Sequence, residues 1–180
     1  LQETELILTC LSHGELSIDG QFMWGSNYTF LGNLIYKDHQ FQVVFKPIEG
    51  EKPLWDFPTH TLAHREVAAF LMSEENNNYF IPPTVYRDDE KNGAGSLQLF
   101  VDHDPEYHYL NFTENDKLRA RPIALFDAII NNTDRKGGHV IVGKDNNKMW
   151  CIDHGVSFHQ DPKLRTVIWD FAGQPFSIEE

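Results

Sequence analysis

The sequence predicts an α+β protein in two lobes, the first rich in strands with one key helix, the second small and mixed. Three observations carry that expectation. Apolar and polar residues alternate through GELSIDGQFMWGSNYTFLGNLIY and HQFQVVFKP, with Gly, Asn and Asp between the runs, which is the period of half-buried strands. One strong helical stretch, TLAHREVAAFLM, interrupts that pattern. Later a buried helix, IALFDAII, precedes two short strand-like runs.

Taken in order, strands begin near Gly14, and GSNYTFLG (Gly25 to Gly32) reads as a small-residue turn between two of them. The loop GEKPLWDFP follows, rich in Pro and aromatics. Thr61 to Met72 is helical, with Leu62, Val67, Ala69, Phe70 and Leu71 largely on one side. Residues 73–78 form a polar turn, IPPTVYR an edge or entry strand because of its Pro pair, and RDDEKNGAG a solvated hairpin loop. SLQLFV (Ser96 to Val101) is a strand, and 102–117 is polar and irregular. Ile123 to Ile130 then forms a helix running into the loop NNTDRKGGH, after which HVIVG and KMWCID flank the hairpin KDNNK. The expected lobes are 1–101 and 102–180. The chain begins with Leu1, and its end, Ser177-Ile178-Glu179-Glu180, has the pattern of a helix capping box. The expectation is that a C-terminal helical part continues beyond it.

A formal net charge of −12 argues against nucleic acid, whose phosphates need clustered Lys and Arg, and against docking on an anionic membrane. No run of about 18 apolar residues could cross a bilayer, and the N-terminus lacks a signal-peptide layout. The expected setting is soluble and cytoplasmic. Cys10 and Cys151 read as two buried free thiols, and the sequons at Asn27, Asn111 and Asn131 as incidental. Oligomeric state is not legible.

Moving a γ-phosphoryl group requires a loop over the phosphates, a strand Lys to hold them, a helix acid to fix that Lys, an Asp facing the acceptor hydroxyl, and a second Asp for Mg²⁺. The chain offers one candidate for each, in that order. Gly25-Ser26-Asn27 is the loop, Lys46 ends the strand QVVFK, and Glu66 lies on the strong helix. Asp134 sits in the loop after the buried helix, and Asp153 follows a strand and precedes Gly155.

The segments VVFKPIEGEKPLWDFP, LAHREVAAF, SLQLFV, NNTDRKGGH and IDHGVSFH resemble an uncharacterised bacterial family related to the phosphatidylinositol 3- and 4-kinases, within the wider protein-kinase-like superfamily. The likeness runs from about Gly14 to Gln174, and the joint occurrence of the segments is specific. It implies a protein-kinase-like two-lobed fold with a small, truncated C-lobe. It implies that Lys46 contacts the ATP phosphates, that Glu66 pairs with Lys46, and that Asp134 is the catalytic-loop Asp, with Arg135 and Lys136 offsetting developing charge. Asp153-His154-Gly155 stands where kinases have Asp-Phe-Gly, making Asp153 a metal ligand. Gln98 to Val101, with Phe100 between, becomes the strand whose backbone reads adenine. One departure is His139, which occupies the position of the second metal ligand, usually Asn. An imidazole suits Mn²⁺ better than Mg²⁺.

Plainer readings stand beside these. Lys46 could be a strand-end surface lysine, Glu66 a solvated helix acid, and Asp134 and Asp153 turn residues. Trp55, Phe57 and Trp169 read as packing anchors, and His60 with His64 as a poor zinc pair, since no Glu lies between them. Three functions follow. The leading one is ATP-dependent phosphoryl transfer to a hydroxyl on a protein or small molecule, with Mg²⁺ or Mn²⁺. The second is a pseudokinase that binds nucleotide without turnover. The third is a metal-dependent phosphohydrolase using Asp134, His139, Asp153, His154 and His159.

Overall fold

The alternating N-terminal runs form a five-stranded antiparallel sheet in the computed structural model, which describes residues 2–22, 28–76, 79–89 and 91–176. Its strands are β1 (Glu15–Phe22), β2 (Thr29–Tyr36), β3 (His39–Pro47), β4 (Thr84–Asp89) and β5 (Gly93–Leu99), in the order β1-β2-β3-β5-β4. Pro82 and Pro83 stand just before β4 at the sheet edge, where a missing N–H interrupts no ladder. Two expected turns are shorter than the composition suggests. Thr29 pairs with Phe22, so the second half of Gly25–Gly32 is strand, and Asp89 pairs with Gly93, so most of RDDEKNGAG belongs to the β4–β5 hairpin. Polar residues enter strands here because the ladder satisfies their backbone.

Helix α1 (Gln2–His13) is an addition to the sequence reading, which begins its elements at Gly14. Cys10 and Leu11 of α1 are fully buried against Leu16, Leu34, Val43, Phe45 and Leu97 of the sheet. Gly14 ends the helix by donating its N–H to the Cys10 carbonyl at 2.7 Å, and a Cβ there would come within 2.8 Å of Leu34 Cγ. Helix α2 (Leu62–Glu75) matches the expected helix and extends into the first half of the expected polar turn. One of its free first-turn N–H groups is served by the preceding loop: Ala63 N donates to Glu51 Oε1 at 2.9 Å. The buried stripe is Leu62, Ala63, Glu66, Ala69, Phe70 and Ser73, whereas Leu71, expected on that side, is 55% exposed.

The region read as irregular contains α3 (Glu114–Arg119), capped by Thr113, whose hydroxyl accepts the Asp116 N–H at 3.2 Å. Next is α4 (Arg121–Ile129), which carries Pro122 in its first turn, where a missing N–H is harmless. The hairpin strands are β6 (Val140–Val142) and β7 (Met149–Cys151). A second apolar cluster gathers Ala69 and Phe70 of α2, Phe80 and Ile81, Ile123 and Phe126 of α4, and Val140 and Cys151. That cluster therefore draws on residues well before 101. Both cysteines are buried and free. Phe57 is buried as expected of an anchor, but Trp55 and Trp169 are 92% and 60% exposed and anchor no core. Ser177 to Glu180, with the expected capping box, lie outside the described residues.

Candidate active site

Strand β3 buries Val43 and Phe45 on the face covered by α1, so period-two alternation turns Lys46 to the opposite face, toward α2. Gly95 of β5 lies opposite Pro47, and a Cβ there would stand 2.4 Å from the Lys46 carbonyl, so only glycine lets β5 pass this close. On α2 the same geometry puts a carboxylate on the buried stripe: Glu66 is 3% exposed. A charge in that place is costly without partners, and Glu66 has two. Lys46 Nζ donates to its Oε1, and the backbone N–H of His154 donates to its Oε2 at 3.0 Å.

Lys46 Nζ also donates to Asp153 Oδ1 at 3.0 Å. Burial alone would lower the ammonium's pKa, but the charges of Asp153 and Glu66 outweigh it and raise it. Lys46 in turn holds the Asp153 carboxyl far below the usual carboxylate range, against the opposing effect of burial. The other Asp153 oxygen faces His139 Nε2 at 3.2 Å. Burial pushes the His139 pKa down, with Asp153 partly offsetting it, so the ring is neutral. Since His139 Nδ1 accepts the Lys136 N–H at 3.4 Å, its proton sits on Nε2 and is donated to Asp153.

The loop carrying Asp134 is shaped from below by Asp127, a residue the sequence reading passes over. Asp127 lies on the buried side of α4, accepts Arg135 Nε and Nη2 at 2.8 Å each, and accepts Asn132 Nδ2 at 2.9 Å. Asn132 Oδ1 then accepts the Asp134 N–H at 3.0 Å. Arg135 is 2% exposed and turned inward, donating to the Ile152 carbonyl and to His154 Nε2, both at 2.8 Å. From there its charge ties the Asp134 loop to Asp153-His154-Gly155 and does not face the cleft. Lys136 is the outward cation, 61% exposed, with Nζ 2.8 Å from Asp134 Oδ2. That bond raises its pKa, and the Asp153 charge adds to the effect. Burial and the adjacent Arg135 push His154 well below its ordinary value, and burial pushes the Cys151 thiol up to about 12.

Lys46, Glu66, Asp153 and His139 thus form one contact chain, with Asp134 and Lys136 beside it. The segment expected to read adenine is partly occupied by the fold itself. Gln98 donates its side chain to Thr84 Oγ1 at 2.8 Å, the Phe100 N–H donates to the Gln42 carbonyl at 3.0 Å, and the Val101 carbonyl accepts His103 Nδ1 at 2.8 Å. Gly25, Ser26 and Asn27 lie outside the described residues. His64 stacks on Tyr86 with ring centroids 4.5 Å apart, and His159 lies by Asp56, away from His154 on Arg135. Among the described residues no three His, Cys, Asp or Glu side chains are placed to cage a metal ion.

Asp127 is legible in retrospect: an Asp inside IALFDAII, in step with Ile123 and Ile130, is a charge on an apolar stripe. Glu66 stands likewise in step with Leu62, Phe70 and Ser73.

The phosphatidylinositol 3- and 4-kinase family profile matches residues 59–179, which include Glu66, Asp134 and Asp153. Protein Rv2133c of Mycobacterium tuberculosis is 37% identical over an alignment of 200 residues, covering 92% of this chain and 71% of its own length. Phosphatidylinositol 4-kinase gamma 4 of Oryza sativa subsp. japonica is 30% identical over 137 residues, 65% of this chain and 24% of that protein. Phosphatidylinositol 4-kinase gamma 5 of Arabidopsis thaliana is 31% identical over 150 residues, 65% of this chain and 23% of that protein. The chain therefore spans about a quarter of the plant kinases.

Proposed function

Because the chain belongs to the phosphatidylinositol 3- and 4-kinase family, we propose that it transfers the γ-phosphoryl group of ATP to a hydroxyl. The observation that carries this reading is the bridge in which Lys46 joins Glu66 to Asp153. Lys46 is the phosphate-holding cation, fixed by Glu66 so that its position costs no reorganisation when charge develops. Asp134 takes the proton of the acceptor hydroxyl. The acceptor oxygen bonds to the γ-phosphorus as the bond to the bridging oxygen breaks and ADP leaves. Lys136 offsets charge at the mouth, and Arg135 acts by holding the loop. The phosphate-covering role expected of Gly25, Ser26 and Asn27 belongs to this reading, and the backbone from Gln98 through Phe100 to Val101 receives adenine. The two-lobed division at 101/102 belongs to this reading.

The donor set suits a divalent cation. The Asp153 carboxylate is ionised and half exposed, and Mg²⁺ takes one or two carboxylates plus phosphate oxygens and water rather than an all-protein cage. Such a cation, Mg²⁺ or Mn²⁺, neutralises phosphate charge when bound. For His139 to join Asp153 as a ligand, the ring must move its proton from Nε2 to Nδ1 and give up the Lys136 bond. The net charge of −12 repels an anionic bilayer, which favours a protein or small-molecule hydroxyl as acceptor. Thermal-shift titration with ATP and GTP, each with Mg²⁺, Mn²⁺ or no metal, tests the site. A metal-dependent rise with ATP that Asp153→Asn loses is the expected result, and the absence of any shift would sink the reading.

A second reading, nucleotide binding without turnover, is favoured by one observation: both Asp153 oxygens are engaged, by Lys46 and by His139. His139→Asn separates the two. A gain in phosphoryl transfer of about tenfold or more, roughly one catalytic interaction's worth, marks the natural site as impaired; a loss marks His139 as part of a working site. The phosphohydrolase alternative is less favoured: of its five proposed ligands His139 and Asp153 meet, but His154 is turned to Arg135 and His159 to Asp56, and the Lys46–Glu66 pair is left without a use.

A further inference from the structure

Resting on the phosphotransferase reading, we propose that Asp56 is a positioning residue: from the loop between β3 and α2 it clamps the segment 157–165 in the path that brackets Asp134. The Asp56 side chain is 12% exposed, binds Lys163 Nζ, and lies 3.6 Å from His159 Nε2. Its neighbours close around the same pair. The Lys163 ammonium sits 4.7 Å over the Trp55 ring, and the edge of Phe57 meets His159 with centroids 5.1 Å apart. A second anchor comes from α2, where Arg65 donates to the carbonyls of Ser157 and Phe158 at 2.7 and 2.9 Å. The Arg65 guanidinium also lies 4.8 Å over Phe57. Loop and helix therefore hold one segment between them.

That segment in turn holds the catalytic loop. Lys163 N donates to Asn131 Oδ1 at 2.9 Å, and Asn131 Nδ2 donates to the carbonyls of His159 and Asp161 at 2.8 and 2.7 Å. Arg165 N donates to the Asn132 carbonyl at 2.9 Å, and the Arg135 N–H donates to the Arg165 carbonyl at 3.0 Å. These last two bonds fall on either side of Asp134. The path from carboxylate to catalytic loop is one ion pair and one stretch of backbone. Switch segments elsewhere gain such a charge partner by phosphorylation; here the anion is part of the chain, so the segment is ordered without modification. A mostly buried ion pair is strongly felt when one partner is removed, because the other is left uncompensated.

The test compares wild type with Asp56→Asn, Lys163→Met and Asp56→Glu. It reads amide exchange at Arg135 and Arg165, ADP formation from MgATP with water or a simple alcohol as the acceptor hydroxyl, and the ATP midpoint in thermal shift. Loss of the clamp is expected to speed exchange at both amides by about tenfold or more. Turnover should fall by about tenfold with the ATP midpoint within about twofold of wild type, because the change misplaces Asp134 without touching the nucleotide. Asp56→Glu should restore most of both. Wild type that turns over no MgATP would fail the phosphotransferase reading, and the exchange rates would then decide the clamp by themselves. Unchanged exchange in both Asp56→Asn and Lys163→Met overturns the clamp; faster exchange with unaltered turnover overturns the positioning role. If Asp56→Asn does not fold, Lys163→Met and Asp56→Glu carry the same decision.

Discussion

Asp153 has a φ of 62°, in the left-handed region that an ordinary side chain occupies at a cost of about 1–3 kcal/mol. Lys46 and His139 hold its two oxygens while Glu66 holds the N–H of the next residue, so the strained conformation is determined from three sides. The next residue titrates with a definite sign. Burial and Arg135 keep His154 neutral in the folded protein, whereas in the unfolded chain it takes a proton below about pH 6.5. Below that pH the unfolded state binds more protons, so stability declines as pH falls, by at most about 1.4 kcal/mol per pH unit for such a group. His139, also lowered, acts in the same direction. Asp153, whose folded pKa is depressed, contributes stability that is intact above about pH 4 and is lost only as pH falls further. Urea midpoints should therefore fall between about pH 7.5 and about pH 5.5, and His154→Gln should flatten the decline. A flat wild-type profile would mean that neither ring is held neutral.

At the scale of elements, α2 and α4 share a device: each places one acid on its buried stripe, Glu66 and Asp127. The apolar members of each stripe, such as Phe70 and Phe126, contribute about 1.5–3 kcal/mol apiece by burial, and that packing tolerates the acid only if a cation meets it. Asp127→Ala should cost about 3–5 kcal/mol in urea unfolding, because it strands the Arg135 guanidinium with no charge partner. A change under about 1 kcal/mol would mean that the loop relaxes and lets Arg135 reach water. The helical character of both segments is legible from propensity and period. Which flank of α2 is buried is less so: Leu71 looks like a core residue in sequence and is 55% exposed, whereas Glu66, which taken without Lys46 reads as a solvated helix acid, is 3% exposed. Periodicity alone cannot orient a helix when apolar residues flank the true stripe on both sides.

At the scale of the whole molecule, net charge governs partners. At a formal −12 the chain should not co-sediment with anionic vesicles at about 0.1 M salt, where the screening length is about 10 Å; clear binding would return a lipid hydroxyl to the list of acceptors. No helix among the described residues is long and apolar enough to cross a membrane. The alternating runs, the strong helix, the short hairpin after Asp134 and the order Lys46, Glu66, Asp134, Asp153 were all determined by the sequence itself, because each rests on local period, propensity or spacing. Helix α1 was legible too, since Ile7, Leu8 and Leu11 recur at helical spacing, and the sequence reading passed over it. Tertiary structure alone decided the second apolar cluster, which reaches back across residue 101 to Phe70 and Phe80. It also decided that Arg135 turns inward to Asp127 and that Asp56 meets Lys163. Those pairings depend on which buried charge needs a partner, and that is set only once distant segments have packed together.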